Sequence, residues 1–133
     1  MKSAPDSELT PAQLRDIATA RVEDAEVLYA AERYDGARYL CGYAVEMTLK
    51  AQICDTLQWP TYHSAGNFSN FRTHDFEVLL ELSGRPEVKR EHFEEWNAIA
   101  TWNPISRYLP VGHLFTVDIT NFIAAVRTIL IAL

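Results

Sequence analysis

Apolar residues recur every three or four positions along most of this chain, which is the spacing that lines one face of an α-helix. The pattern is clearest after Thr10, where charged residues fill the positions between. The apolar positions of that segment are Leu14, Ile17, Ala18, Val22, Ala25, Leu28 and Tyr29. No segment shows a convincing two-residue alternation of the kind that marks a half-buried strand. The sequence therefore predicts an all-α fold, an antiparallel bundle of four to five helices.

Capping residues indicate where the first two helices begin and end. Thr10, a proline directly after it and a glutamine three residues on form a capping box that should start the first helix, and the apolar pattern extends this helix to about Glu32. Asp35-Gly36 is predicted to form a short turn and to cap a second helix that ends near Leu57. This helix carries apolar residues on two neighbouring stripes, so we expect it to be the central helix.

The rest of the chain is predicted to contain loops and three further helices. Residues 59–72 lack a helical period and are rich in Gly, Ser and Asn, which is typical of a long functional or mobile loop. Thr73 should cap a third helix that Gly84 stops, and Pro86 should start a fourth helix that ends at Asn103-Pro104. Thr116 should cap the last helix.

Size and composition limit the class of protein. The chain has 133 residues, 48% of them hydrophobic, which suits a single domain over residues 11–133 after a flexible N-terminal tail over residues 1–10. A net charge of −6 argues against a protein that coats nucleic acid by bulk electrostatics. No apolar segment is long enough for a membrane span or a signal region, so we expect a cytoplasmic protein with no membrane partner.

The sequence predicts neither a metal site nor a cofactor. Cys41 and Cys54 lie 13 residues apart on one predicted helix, too far for a disulfide, and are interpreted as small buried residues. No two histidines stand four residues apart, and neither cysteine is at ligand spacing from a histidine. The five glycines are isolated and form no phosphate-binding loop.

Two apolar features favour contacts beyond the bundle core. The long loop is rich in aromatic side chains that could stack on bases, although pinning the loop to the bundle or filling a dimer seam is the preferred interpretation. These residues are Trp59, Tyr62, Phe68 and Phe71. The apolar run at 129–133 favours burial against a second chain.

Four segments together carry a resemblance to a known family. Residues 33–51 read RYDGARYLCGYAVEMTLKA, preceded by AEVLY at 25–29 and followed by THDF at 73–76 and SRY at 106–108. In order and spacing, these segments resemble the first three helices and the Arg-Tyr segment of the HEPN family, the higher-eukaryote and prokaryote nucleotide-binding domains. The resemblance covers about residues 14–131.

This resemblance implies a bundle of four or five helices that usually forms a homodimer. Many members of the family are metal-independent endoribonucleases with an Arg-x(4–6)-His motif, often toxins of toxin–antitoxin or defence systems. Others lack the motif and bind RNA or a nucleotide, or partner a small nucleotidyltransferase. The resemblance therefore implies an RNA- or nucleotide-binding protein. An endoribonuclease, a non-catalytic module and a dimeric scaffold without a ligand remain open.

Two pairs of residues fit the nuclease spacing. We prefer Arg107 and His113, which lie before the last predicted helix, where the family's motif lies, over Arg85 and His92. His113 is the candidate base for a ribose 2′-hydroxyl, and Arg107 is the candidate clamp for the phosphorane charge. The alternative is that Arg107 forms a structural salt bridge and that His113 is simply exposed.

Four further residues are candidates for substrate binding. Glu46 and Lys50 stand one turn apart on an otherwise apolar helix, where buried charges need partners, and the family resemblance also implies a Glu-x3-Lys pair here. We expect Arg107 to be the partner of Glu46. Tyr108 and His74 complete the predicted cleft. A purely structural ion pair is the alternative for Glu46 and Lys50.

Overall fold

The computed structural model describes residues 8–112 and 116–133, without the side chains of Ser106, Arg107, Thr116 and Val117. These residues form six α-helices, two 3₁₀-helices and no strand, which confirms the all-α class. The α-helices are α1 (Pro11–Ala30), α2 (Tyr34–Leu57), α3 (Phe76–Ser83), α4 (Glu87–Glu91), α5 (Phe93–Ile99) and α6 (Thr116–Ala132). The 3₁₀-helices are Gly66–Phe71 and Pro104–Tyr108.

The capping box at the start of α1 is confirmed. The Thr10 hydroxyl accepts the Gln13 backbone N–H at 3.1 Å, and the Gln13 side chain accepts the Thr10 N–H at 3.0 Å. Just before the cap, the Leu9 carbonyl accepts the backbone N–H of Tyr62 at 3.0 Å. This part of the predicted tail therefore lies against the loop that follows α2.

Helix α2 is the central helix, as predicted, because it contacts α1, α3, α6 and the second 3₁₀-helix. The predicted turn at Asp35-Gly36 is wrong, since both residues lie in the first turn of α2. The link from α1 is shorter than expected because the Arg33 N–H turns back to the Leu28 carbonyl at 2.8 Å. Three residues, 31–33, therefore suffice to reverse the chain.

The long loop after α2 is held by its own aromatic rings. Trp59 lies 4.9 Å from Phe71 and 5.1 Å from Phe68, measured between ring centroids. Tyr62 is fully buried, and its hydroxyl donates to the Phe71 carbonyl at 2.5 Å. Part of the loop forms the 3₁₀-helix Gly66–Phe71, which the sequence did not predict. The rings pack on one another, and those of Trp59, Tyr62 and Phe71 also pack on the core, which favours the pinning interpretation.

Two boundaries in the middle of the chain differ from the prediction. Asp75, not Thr73, caps α3, and its carboxylate accepts the backbone N–H groups of Glu77 and Val78. The predicted fourth helix is interrupted at His92, whose φ of −127° and ψ of 50° separate α4 from α5. Neither glycine nor proline occupies this break, so the periodicity could not reveal it.

Side-chain contacts join the last helix to α1. Tyr29 of α1 meets Thr120 at 2.8 Å between hydroxyl oxygens, and Glu26 pairs with Arg127. In the apolar run at 129–133, Ile129 is fully buried and most of the other side chains pack against the core of the same chain. In the described part of the chain, no helix is both long and apolar enough to cross a bilayer.

Candidate functional site

The central helix buries one ion pair among apolar side chains. Glu46 and Lys50 are only 2% and 3% exposed, and the Lys50 ammonium donates to Glu46 Oε2 at 3.0 Å. They stand one turn apart with Glu46 first, the favourable order on a helix. Two charges removed from water lose several kcal/mol of hydration each, so such a pair persists only with good geometry and further partners.

The second oxygen of Glu46 meets His74. Its Oε1 lies 2.7 Å from His74 Nδ1, and the histidine side chain is 58% exposed. His74 lies in the short connection between the first 3₁₀-helix and α3. Helix α3 packs directly against α2. Lys50, Glu46 and His74 thus form a continuous chain from the core to the surface, which we call the Lys50–Glu46–His74 array.

The buried end of the array is also supported by an aromatic ring. The Lys50 ammonium lies 5.3 Å from the centroid of the Tyr62 ring, within the range of a cation–π contact. Tyr62 is held in turn by its hydroxyl bond to the Phe71 carbonyl. The pinned loop after α2 therefore helps to place the cation of the array.

His74 lines a cleft of about 500 Å³ between the start of α3 and the end of α5. The lining residues are Thr73, His74, Asp75, Phe76, Ala100, Thr101, Trp102, Asn103, Pro104 and Ile105. The segment from Ala100 to Ile105 contributes no charged side chain. Among the described residues of the lining, the ionisable groups are His74 and the helix-capping Asp75.

The wall of the cleft depends on a close approach between Trp102 and α2. A Cβ added at Gly42 would lie 2.1 Å from the Trp102 indole, so only glycine leaves room for this ring. Trp102 stacks on Phe76 at 5.4 Å and meets Tyr43 edge-on at 4.9 Å. Its Nε1 is buried without a hydrogen-bond partner among the described residues, so packing alone fixes the ring. Neither Gly42 nor Trp102 is predicted as a site residue from the sequence.

Three of the six predicted site residues come together, namely Glu46, Lys50 and His74. Tyr108 ends the second 3₁₀-helix, is 73% exposed and does not line the cleft. The Arg107 side chain and the whole of His113 lie outside the described residues. The expected contact between Arg107 and Glu46 therefore stays a prediction, and the described partners of Glu46 are Lys50 and His74.

The second pair with nuclease spacing has a structural explanation. The Arg85 guanidinium donates to Glu87 at 2.5 Å, to the Gln52 side chain at 3.4 Å and to the Ala132 carbonyl at 3.0 Å. It thereby joins the start of α4 to α2 and to the end of α6. His92 lies at the break between α4 and α5 and not among these partners.

The cysteines carry no chemistry in this fold. Both are free and buried, which confirms that they form no disulfide. Burial raises the pKa of the Cys41 thiol to about 12 and, with the Asp55 charge, that of Cys54 to about 11. Thiols with such pKa values stay protonated and unreactive near neutral pH. Within the described ranges, no three His, Cys, Asp or Glu side chains gather as metal ligands.

No protein-family model, curated protein or solved structure matches this chain. The resemblance to HEPN domains therefore rests on the motifs in the chain itself.

Proposed function

We propose that this chain is an HEPN-like domain that binds RNA in the cleft beside His74 and cleaves it without a metal ion. The observation that supports the proposal is the Lys50–Glu46–His74 array, which combines a buried ion pair with an exposed imidazole at the edge of a cleft. Histidine is the side chain best suited to proton transfer near neutral pH.

The proposed reaction is attack by a ribose 2′-hydroxyl on the adjacent phosphorus. It needs a proton acceptor and a cation that stabilises the negative charge on the phosphorane. Arg107 is proposed as that cation because a guanidinium can hold two phosphate oxygens at once, and the HEPN resemblance proposes His113 as the base. Because DNA lacks the 2′-hydroxyl, only RNA should be cut.

Overall charge limits how the RNA would be held. The chain carries a net charge of −6, and the described residues that line the cleft include no lysine or arginine. Binding would depend on contacts with bases and sugars and on a few local cations, and less on bulk attraction to phosphates. A small, polar site of this kind suits a short single-stranded segment or one nucleotide.

A second candidate is a non-catalytic HEPN-like module that binds a nucleotide, a small nucleotidyltransferase or a second copy of the chain. It is favoured by exposed apolar side chains on and after the second 3₁₀-helix, which are Ile105, Tyr108, Leu109 and Val111. Val111 is 94% exposed, and several exposed apolar side chains within one short segment are typical of a contact surface. In this case His113 would have no role in catalysis.

The test of cleavage uses purified protein, a mixed RNA pool and a chelator. The proposal predicts products with 2′,3′-cyclic phosphate ends, and it predicts their loss in Arg107→Ala. His113→Ala tests the base that the family motif implies. His92→Gln serves as the control, since His92 lies outside the cleft. Intact RNA with the wild-type protein would overturn the nuclease and favour the binding module.

A further inference from the structure

The array is an unusual way to bury an ion pair. A buried pair kept for stability alone gains little over apolar residues of the same size. Here the carboxylate of Glu46 also holds a third group, and that group is the most exposed of the three. The arrangement is therefore suited to orienting the His74 ring.

The ion pair of Glu46 and Lys50 also determines which ring nitrogen of His74 carries the proton. Glu46 Oε2 accepts from the Lys50 ammonium, so the carboxylate acts as an acceptor on both of its oxygens. His74 Nδ1, at 2.7 Å from Oε1, must then donate its hydrogen. In the neutral ring this leaves a lone pair on Nε2, which has no hydrogen-bond partner among the described residues.

The described segment that ends at Gly112 is anchored at the start of α2. The Gly112 N–H donates to Asp35 Oδ2 at 2.7 Å, at the start of α2. Asp35 precedes Glu46 by eleven residues, or about 16 Å of helix rise. Gly112 is thus bound about three turns of helix away from the array.

We propose that His74 is the proton acceptor for RNA cleavage in this cleft and that Glu46 is the residue that positions it. This inference rests on the proposed function and replaces His113 as the base. Nε2 takes the proton of the 2′-hydroxyl while O2′ bonds to phosphorus and the bond from phosphorus to O5′ breaks. The leaving O5′ takes a proton from water, and the imidazolium returns its proton to solvent. The products are a 2′,3′-cyclic phosphate and a 5′-hydroxyl, and no water is consumed.

The kinetic test compares His74→Ala with His113→Ala and the control His92→Gln. General-base catalysis contributes about 10²- to 10⁴-fold, so His74→Ala should lower the cleavage rate at least about 100-fold. Free imidazole should restore part of that rate, because the truncated side chain leaves space beside Glu46 in an open cleft. His74 is largely exposed, so the variant should fold. Rates of His74→Ala within threefold of wild type would overturn the assignment.

The tautomer of the His74 ring tests whether Glu46 positions it. In ¹⁵N NMR spectra of the wild-type protein, His74 should carry its proton on Nδ1 when neutral. In Glu46→Gln, the amide oxygen accepts from Lys50 and the amide N–H donates to His74 Nδ1. The proton should therefore move to Nε2, and cleavage should fall with it. A wild-type ring protonated on Nε2 would contradict the proposal, even if Glu46→Gln does not fold.

The outcomes separate the two proposals. Wild-type protein that leaves all RNA intact overturns the proposed function. Wild-type protein that cuts RNA, with His74→Ala cutting equally well and His113→Ala inactive, overturns the role of His74 and leaves the function in place.

Discussion

At the scale of single residues, the glycine at position 42 determines where the cleft wall lies. Alanine is favoured over glycine by about 1 kcal/mol inside a helix, but a Cβ here would overlap the Trp102 ring at 2.1 Å. We expect Gly42→Ala to lower the free energy of unfolding by about 1 to 3 kcal/mol, because Trp102 must move.

Gly36→Ala is the matched control for this prediction. It lies on the same helix, and the nearest atom to its added Cβ is Leu28 Cδ1 at 3.4 Å, an ordinary contact. This variant should be neutral or slightly stabilised. Urea unfolding followed by tryptophan fluorescence measures both. Equal stability of the two variants would show that Trp102 does not pack on Gly42.

The buried ion pair should be more costly to break than to replace. Lys50→Met leaves the Glu46 charge buried beside His74 alone, and we expect a loss of about 3 to 5 kcal/mol in unfolding free energy. Combining it with Glu46→Leu should restore part of that loss, because no uncompensated charge remains.

An exposed pair provides the comparison for this result. Arg15 and Asp55 meet at 2.9 Å between α1 and α2, with side chains 39% and 48% exposed. Arg15→Met should cost less than about 1 kcal/mol. Similar losses for Lys50→Met and Arg15→Met in urea unfolding would mean that the Glu46 site is solvated.

The raised pKa values of the two cysteine thiols predict that the free energy of unfolding falls at alkaline pH. Their thiols have pKa values of about 12 and 11 in the folded state, above the ordinary value of 9.0 that applies to the unfolded chain. The folded state therefore binds these protons more tightly, and this stabilisation is complete below pH 9 and is lost as pH rises toward 11 and 12.

Replacement of Cys41 and Cys54 by alanine tests this dependence. The double variant should show a smaller fall in unfolding free energy between pH 8 and about pH 10.5 than the wild type. In addition, a thiol reagent at pH 8 should label the wild type only after unfolding. Rapid labelling of the native protein would contradict the buried state of both thiols.

At the scale of helices, local signals predicted some boundaries well and others poorly. The α1 capping box involves residues three positions apart, so the sequence alone was sufficient. At the start of α3, two residues only two positions apart could both act as caps, and only the backbone conformation selects Asp75 over Thr73. The interruption at His92 has no glycine or proline to mark it in the sequence, and only its backbone angles reveal it.

The identity of the α3 cap is directly testable. Asp75→Ala removes the acceptor of two backbone N–H groups, and we expect a loss of about 1 kcal/mol in unfolding free energy. Thr73→Ala should cost less, since its hydroxyl accepts only the Asp75 N–H, at 3.1 Å. The reverse order in chemical denaturation would restore Thr73 as the cap.

At the scale of the whole molecule, periodicity predicted the all-α class and the central place of α2. The burial of Glu46 and Lys50 was also foreseeable, because two charges interrupt an otherwise apolar helix. The contact from Glu46 to His74 joins residues 28 positions apart, and the contact of Trp102 with Gly42 joins residues 60 apart. Contacts of this kind follow from tertiary packing, which a single sequence does not display.

The most direct test of the proposed RNA site is to locate where RNA binds on the protein. A 2′-O-methyl RNA oligonucleotide lacks the nucleophilic hydroxyl and cannot be cut by the proposed reaction, so it can be titrated into ¹⁵N-labelled protein. If RNA binds in this cleft, saturable amide shifts are expected at His74, Thr101 and Asn103, which line it. Saturation with shifts confined to other surfaces, or no shifts at all, would contradict an RNA site beside the Lys50–Glu46–His74 array.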